Sequence, residues 1–465
     1  MELEIHGHAC ASVRHASRRL VVDPWLCGSV YWGSWWHWPE PVFDEDVLHA
    51  DWVYITHWHF DHLHRETLER FDRGCHFLVP KFPVSFLVQQ LRELGFERVT
   101  ELVHGRPFEL GPGFRLTSFQ IQYQDDSLCV VEAGEQVLVD LNDSKPLRRT
   151  WHAIKRRFPA VDFMLRSHSP AWSYPTAFSF EDPSEAIPVD RASYMQAFRS
   201  AAEFLAPRYA VPFASMVCHL HPESLAENEH VIGARELERY FASDPLAGTE
   251  LVVMPPGSRW TPAGFELTDD TGTRDVHAYV ESKRREKREE LAALAARDDA
   301  RTLRFEDFEA FFRRLLRRLL PLRPFLGIRW VFEVSAGDGL EYWTVDVRRG
   351  TVRRAQEPPA RYTSRMEVHP GVLADALAQT VFTNIDISKR WRVHVRRGGL
   401  QKHLLMWVLV SLFEAGYLEL GNLFRWRFAA CVARRRAEIP DYLALARALL
   451  RKDRGAAAEA VTHPV

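Results

Sequence analysis

Cysteine is scarce in this chain. Cys10, Cys27, Cys75, Cys129, Cys218 and Cys431 are scattered through 465 residues with no Cys-x-x-Cys among them, which excludes a disulfide framework and a zinc ribbon. Long apolar runs are missing too. The longest, Leu404 to Phe413, is too short to span a bilayer and reads as a buried helix. The start, Met1-Glu2-Leu3-Glu4, has neither a basic region nor an apolar stretch, so no secretory signal is expected and a reducing cytoplasm is the expected compartment. A strong overall charge is also absent, the net value being −2. Its distribution is uneven: Thr271 to Val465 holds 36 basic and 24 acidic side chains, against 24 and 38 before it. Halves of opposite sign could attract each other, or the basic half could meet an anionic partner. A set of solvated arginines is the plainer account. Residues 1 to 270 show no interleaving of basic and aromatic residues, so nucleic acid is not an expected partner.

What is present is a dense cluster of metal-ligating side chains. Ile55-Thr56-His57-Trp58-His59-Phe60-Asp61-His62 follows an expected strand from Trp52 to Thr56. Three imidazoles and a carboxylate then fall within six residues, and these are ligands of zinc and of non-haem iron. In an extended segment His57 and His59 point the same way. Asp61 and His62 lie ahead of an expected helix, Arg65 to Phe71. Two metal ions can be held side by side by this pattern, His57 and His59 on one, Asp61 and His62 on the other. The competing reading, a histidine-rich surface loop, fits poorly after so apolar a strand.

The chain divides into two unlike domains joined by a linker, as 465 residues allow. Short strands are expected at Leu3 to Ile5, Ser12 to Arg14 and Leu20 to Val22. His8, in the first turn, could approach the metals from behind the ligands, though a lone turn histidine needs no such role. Asp23, closing the third strand, could accept the second N–H of a ligand histidine. Tyr31 to Pro41 packs five aromatics into eight residues and reads equally as a pocket wall or a domain interface. Helix, strand and helix are expected from Glu69 to Thr100, a β-rich stretch from Leu102 to Val131, strands at Gln136 to Val139, Ala160 to Arg166 and Arg208 to Phe213, and a helix from Asp190 to Leu205. This first domain closes near residue 268. Residues 269–302 read as a charged helical linker. In the third part, 303–465, Leu303 to Leu320 is amphipathic, with an apolar stripe opposite Arg313, Arg314, Arg317 and Arg318. Docking on its own domain is the expected use of that stripe, membrane-surface binding the alternative. Strands from Arg329 to Arg354, a further strand, a helix from Gly371 and later helices make a smaller α+β domain. The order of its elements resembles the sterol-carrier-protein type of lipid-binding domain, which implies a lipid or partner as ligand.

The His-x-His-x-Asp-His stretch resembles the signature of the metallo-β-lactamase superfamily. That resemblance implies an αββα sandwich for residues 1–268, with the metals at one edge of the paired sheets. It also implies a bridging carboxylate where a buried strand ends, for which Asp143 is chosen and Asp140 is the alternative, and a last histidine after a later strand. Within the superfamily, Asp23-Pro24-Trp25-Leu26, Gly33-Ser34-Trp35-Trp36 and Glu40-Pro41, then Tyr174-Pro175-Thr176-Ala177-Phe178, Ala206-Pro207-Arg208, Pro212-Phe213-Ala214 and His221-Pro222 resemble the metallo-β-lactamase-like part of CMP-N-acetylneuraminate hydroxylase. The last of these favours His221 over His219. The resemblance spans about residues 1 to 235. Two departures stand out. No histidine precedes the bridging aspartate from Phe119 to Asp126, so Asp126 is either an oxygen ligand in its place, which would favour iron or manganese, or a strand cap. The Rieske cysteine–histidine pairs of that hydroxylase are missing, since the one Cys-x-x-His, Cys218 to His221, has no partner pair.

The expected function is that of a metal-dependent hydrolase acting on an ester, lactone, amide or phosphodiester of a small molecule. His57, His59, Asp61, His62, Asp143, His221 and Asp126 would hold two divalent ions, zinc for this chemistry, and Asp61 would also orient the nucleophile. The alternative is a dinuclear iron oxygenase fed by an external redox partner. A third reading, a metal-stabilised scaffold, fits less well, because a structural zinc needs only one closed site.

Overall fold

The computed structural model describes residues 1–121, 126–336 and 339–450. Two sheets stack face to face. One runs in the order Gly264–Glu266, Arg259–Thr261, Glu2–Ile5, Ala11–His15, Arg18–Val22, Trp52–Tyr54, His76–Pro80, Val99–Leu102. The other runs Glu250–Leu251, Tyr209–Pro212, Phe163–Arg166, Gln136–Asn142, Asp126–Ala133, Phe114–Ile121, Pro107–Gly111. Alternation explains the stacking: in Glu2–Ile5 the side chains of Leu3 and Ile5 are buried while Glu2 faces water, the period-2 pattern of a half-covered strand. Leu3, Ile5, Val13, Leu20 and Val22 meet Leu116, Val131, Leu138, Leu165 and Val211 in a single apolar layer. The outer face of the first sheet is covered from Arg65–Glu69 and Phe86–Glu93, through Leu68, Leu87 and Leu91. That of the second is covered from Arg148–Arg157, Arg191–Leu205 and Ala234–Ser243, through Trp151, Phe198 and Leu237. This is the αββα sandwich the resemblance implied. Gly134, at φ +64°, makes the two-residue turn that closes Ala133 on Gln136, a left-handed conformation that favours glycine.

Residues beyond 300 form an α+β unit around a six-stranded sheet, Phe178–Phe180, Trp391–Val395, Ser364–Val368, Arg329–Ala336, Gly339–Asp346, Thr351–Ala355. Phe305–Arg318 lays its apolar stripe on this core, burying Phe308, Phe311, Phe312, Leu315 and Leu316, the docked use of the stripe. Phe178–Phe180 comes from the first 268 residues. It adds an edge strand parallel to Trp391–Val395, and Tyr174, Ala177, Ile187 and Val189 enter the same core. Residues 269–302 are two helices, Val276–Glu286 and Arg288–Ala300, and they are not a free tether. Val280 and Leu291 pack with Trp36 and Trp38, and Asp298 is buried. Among the described residues no helix is long and apolar enough to cross a membrane.

Parallel pairing of Trp52–Tyr54 with Arg18–Val22 and of Phe163–Arg166 with Gln136–Asn142 brings the C-terminal ends of these strands to one edge of the sandwich. Ligand sites in α/β proteins collect at such edges, where loops rather than helices follow the strands.

Candidate metal centre

Three loops meet at that edge. The first follows Trp52–Tyr54 and carries His57 to His62. The second follows Gln136–Asn142 and carries Asp143. The third is the turn between the first two strands, carrying His8. Donor atoms of His57, His62 and Asp143 lie within 4.8 Å of one another, and so do those of His8, Asp61 and His62. His62 Nε2 is 3.2 Å from Asp61 Oδ2 and 3.7 Å from Asp143 Oδ2, and His57 Nε2 is 4.0 Å from that same oxygen. His57 Nε2 and His59 Nδ1 are 2.8 Å apart. Ligand atoms around one ion are spaced roughly 3–3.5 Å when metal–ligand distances are about 2.0–2.2 Å. Buried Asp143 Oδ1 has no hydrogen-bond partner, and His62 Nε2 faces carboxylate oxygens, Asp61 Oδ2 at 3.2 Å and Asp143 Oδ2 at 3.7 Å. A buried polar atom without a partner is costly, and a cation held by imidazole and carboxylate would satisfy both. The donor set therefore fits a dinuclear centre.

Asp23 organises this edge. One of its carboxylate oxygens accepts the Thr56 backbone N–H (2.8 Å), while the other accepts the Thr56 hydroxyl (2.5 Å), Asn142 Nδ2 (2.6 Å) and His62 Nδ1 (2.8 Å). The contact with His62 leaves Nε2 as the atom turned toward the cluster, the orienting role carboxylates take behind ligand histidines. Asp61 is held from two further sides. The Tyr31 hydroxyl donates to its Oδ1, and His8 Nε2 lies 3.0 Å from its Oδ2.

The electrostatics follow from the crowding. Burial alone would raise the Asp61 carboxyl, but His62 and His8 hold it well below the usual range. Burial opposes a charge on His62, yet Asp61, Asp143 and Asp23 raise it well above an ordinary imidazole. Burial, then His62 and His59, push His57 well below. The opposite shifts of Asp61 and His62 come from their mutual attraction, and a metal-bound imidazole is neutral, so metal binding at His62 would be favoured as pH rises.

Not every residue the sequence pointed to arrives here. Asp126 Oδ1 is 3.8 Å from His57 Nδ1, and with His59, Asp61 and Asp143 it lines a cavity of about 320 Å³. Asp140 stays inside the sheet, where burial and then the Asp23 charge push its carboxyl well above the usual range, and it belongs to neither donor group. His221 and His219 also stand outside both groups, contrary to the expectation for His221. The strand Val217–His219 pairs antiparallel with Trp35–His37 and carries both histidines away toward the aromatic loop and the C-terminal unit. His221 Nδ1 accepts the Glu223 N–H, and burial and then the Arg390 charge lower it to about 4. His8 is the residue that sequence reasoning undervalued. It sits in a turn far from the motif, and only the strand order shows that the turn opens onto the same edge.

The aromatic stretch serves both uses weighed for it. Tyr31 and Trp35 line the cavity, while the indoles of Trp32 and Trp35 donate to Asp375 and to the Ile387 carbonyl of the C-terminal unit. That unit supplies the far wall, including Asp386, Trp407 and Ser411.

Comparison with known proteins agrees with this architecture. Residues 2–151 match a family model described as Beta-lactamase superfamily domain. A protein of Mycobacterium tuberculosis (strain ATCC 25618 / H37Rv), provisionally named a Rieske 2Fe-2S iron-sulfur protein, is 27% identical over 238 residues, covering 48% of this chain and 45% of that protein. The cytidine monophosphate-N-acetylneuraminic acid hydroxylase of Danio rerio is 40% identical over 68 residues, 14% of this chain and 12% of the hydroxylase. Among solved structures, an isothiocyanate hydrolase from Delia radicum gut bacteria covers 56% of this chain and 98% of its own, at 14% identity and a TM-score of 0.41. The chain spans about half the length of the mycobacterial relative and a smaller part of the hydroxylase.

Proposed function

We propose that this chain, whose residues 2–151 match a family model described as Beta-lactamase superfamily domain, is a dinuclear metal-dependent enzyme and that hydrolysis of a small molecule is its reaction. The observation that carries the reading is the convergence of His57, His62 and Asp143 with His8, Asp61 and His62 into two donor groups sharing one imidazole, beside a cavity sized for a small ligand. His59, 2.8 Å from His57 Nε2, and Asp126 on the cavity wall stand outside these two groups and are proposed as further ligands. The ions, zinc in this reading, would supply a water acidic enough to react as hydroxide near neutral pH and would polarise the bond to be cleaved. The chain's own part is to place and charge these groups. Asp23 fixes the rotation of His62. Tyr31 and His8 fix the Asp61 carboxylate, whose depressed ionisation leaves it an acceptor able to orient a water at the cavity wall.

A second reading has specific support. An oxygen donor, Asp126, stands beside His57 where hydrolases of this superfamily carry another histidine, and a relative 40% identical over a shared segment of 68 residues is named as a hydroxylase. An oxygen-rich set suits iron, and oxygenation would then draw electrons from a redox partner. Metal content and the optical spectrum of protein purified without added metal separate the two, with His59→Ala as control. About two zinc ions per chain and no visible absorbance would support hydrolysis. About two irons, with a near-ultraviolet band that bleaches on reduction, would support oxygenation. Metal content that is nil, or unchanged in His59→Ala, would overturn both.

A further inference from the structure

The cavity has a cationic side that the donor groups do not use. Arg166 closes the strand Phe163–Arg166 and lines the cavity beside Lys145. Arg166 is only 4% exposed, and its Nε and Nη1 have no hydrogen-bond partner. Its guanidinium carbon lies 5.7 Å from the Trp151 ring, and the Lys145 ammonium beside it is a like charge. Lys145 reaches toward the Trp172 ring, with Nζ 5.9 Å from the centroid. Other buried arginines of this chain find carboxylates, as Arg390 does with Asp298 at 2.6 Å. A buried guanidinium left without an anion is strongly unfavourable unless something arrives to compensate it. The planar donor fork of arginine matches a carboxylate or a phosphate, both of which offer two oxygens at the required spacing.

We infer that Arg166 and Lys145 form an anion-binding subsite in the cavity that the candidate metal centre also lines, and that the substrate carries a phosphate or carboxylate held there. The inference rests on the dinuclear enzyme reading for its reacting end and on the orphaned guanidinium for its anchored end. The anionic group docks on Arg166, the reactive bond extends toward Asp61 and Asp143, and Trp172 and Trp407 bound the space between. Asp143, Asp126 and Asp386 act on Lys145, so the buried guanidinium of Arg166 is the cation left for the substrate's anion to meet. The C-terminal unit contributes part of this wall, so it acts as a specificity element of the same site.

The test is isothermal titration of inorganic phosphate, and separately of succinate, into the full-length protein at fixed ionic strength, both as purified and after chelator treatment. Wild type, Arg166→Gln, Arg166→Lys and Lys145→Gln are compared, and metal content is measured on each. At least tenfold weaker binding in Arg166→Gln, weaker binding in Lys145→Gln and partial recovery in Arg166→Lys, with metal content unchanged, is the expected result. The tighter-binding anion identifies the substrate's group. Should Arg166→Gln fail to fold by circular dichroism, the half-exposed Lys145→Gln decides alone. Wild-type affinity in the variants would overturn the subsite, as would phosphate binding that vanishes with the metal yet ignores Arg166, because the anion would then sit on the ions. Binding that depends on Arg166 in a wild-type protein containing no metal would sink the metal reading and leave the subsite standing.

Discussion

Replacing Arg390 with methionine should destabilise the chain more than a change at any exposed ion pair. Arg390 Nε donates to Glu223 Oε2 (2.7 Å), and Nη1 donates to Asp298 Oδ2 (2.6 Å) and to the Trp32 carbonyl (2.7 Å). One side chain of the C-terminal unit thus ties together the aromatic loop, the turn after His221 and the second linking helix. The three contacts are unequal. Glu223 is 37% exposed at its side chain, and a screened pair of that kind contributes about 0–1 kcal/mol. Asp298 is 9% exposed and Arg390 1%. Removing one partner of a buried pair costs about 3–5 kcal/mol, because the other charge stays behind without compensation. Losing the donor to the Trp32 carbonyl adds to this less than additively, since all three acceptors share one group. The expected loss for Arg390→Met is therefore about 3–5 kcal/mol.

Urea unfolding followed by tryptophan fluorescence measures that loss, and the Asp298→Asn background shows its origin. If the uncompensated carboxylate carries the cost, Arg390→Met made in Asp298→Asn should cost at least about 1–2 kcal/mol less than in wild type. A loss below about 1 kcal/mol for the single variant would refute the reasoning. So would a double variant whose loss equals the sum of the two singles, for then the arginine acts by packing and not through its charge.

Glu414 offers a pH-dependent counterpart. Burial raises its carboxyl from 4.5 to about 8, so its contribution is fully present below pH 4.5 and is lost as pH rises through about 8. That amounts to on the order of 4–5 kcal/mol at most. Glu414→Gln should flatten the fall in melting temperature between pH 5 and 8.5, and an unchanged slope would reject the assignment. Asp23→Ala removes the acceptor that orients His62, and metal affinity measured by competition with a chelator should fall about 10–100-fold; an unchanged affinity would show that the cluster orients itself. Gly371→Ala would put a Cβ 1.9 Å from the Asp298 carbonyl oxygen, and a loss of about 1–3 kcal/mol from overpacking is expected, which a wild-type melting temperature would contradict.

How far the sequence revealed the site depends on the distance over which each residue acts. His57 to His62 was legible because strand, turn and ligands are contiguous, and the apolar run before His57 announces a buried strand. Asp23 was legible for a related reason, as a carboxylate that ends a short apolar strand and so comes to rest at a sheet edge. Arg166 ends Phe163–Arg166 in the same way, but a lone arginine at a strand end carries no ligand pattern that would single it out. His221 shows the limit of resemblance. Its His-Pro pair matches a family position, but pairing of Val217–His219 with Trp35–His37 is a long-range choice that no local pattern announces, and that pairing decides where the turn points.

The seam between the two units was the least legible feature, and it is where the cavity lies. Phe178-Ser179-Phe180 is too short to declare itself a strand, yet its pairing with Trp391–Val395 carries the first 268 residues into the core of the next unit. Opposite charge in the two halves suggested attraction, and the contacts formed are local instances of it. The acidic side chains Glu223 and Glu181 receive Arg390 and Arg396. A composition difference can foretell that two halves attract, but not which residues meet. Here those meetings set the aromatic loop against Asp375 and Ile387 and bring Trp407 into the cavity lining. Under the proposed function, substrate choice would be a property of the interface between the halves, while the donor groups at the sheet edge belong to the first half alone.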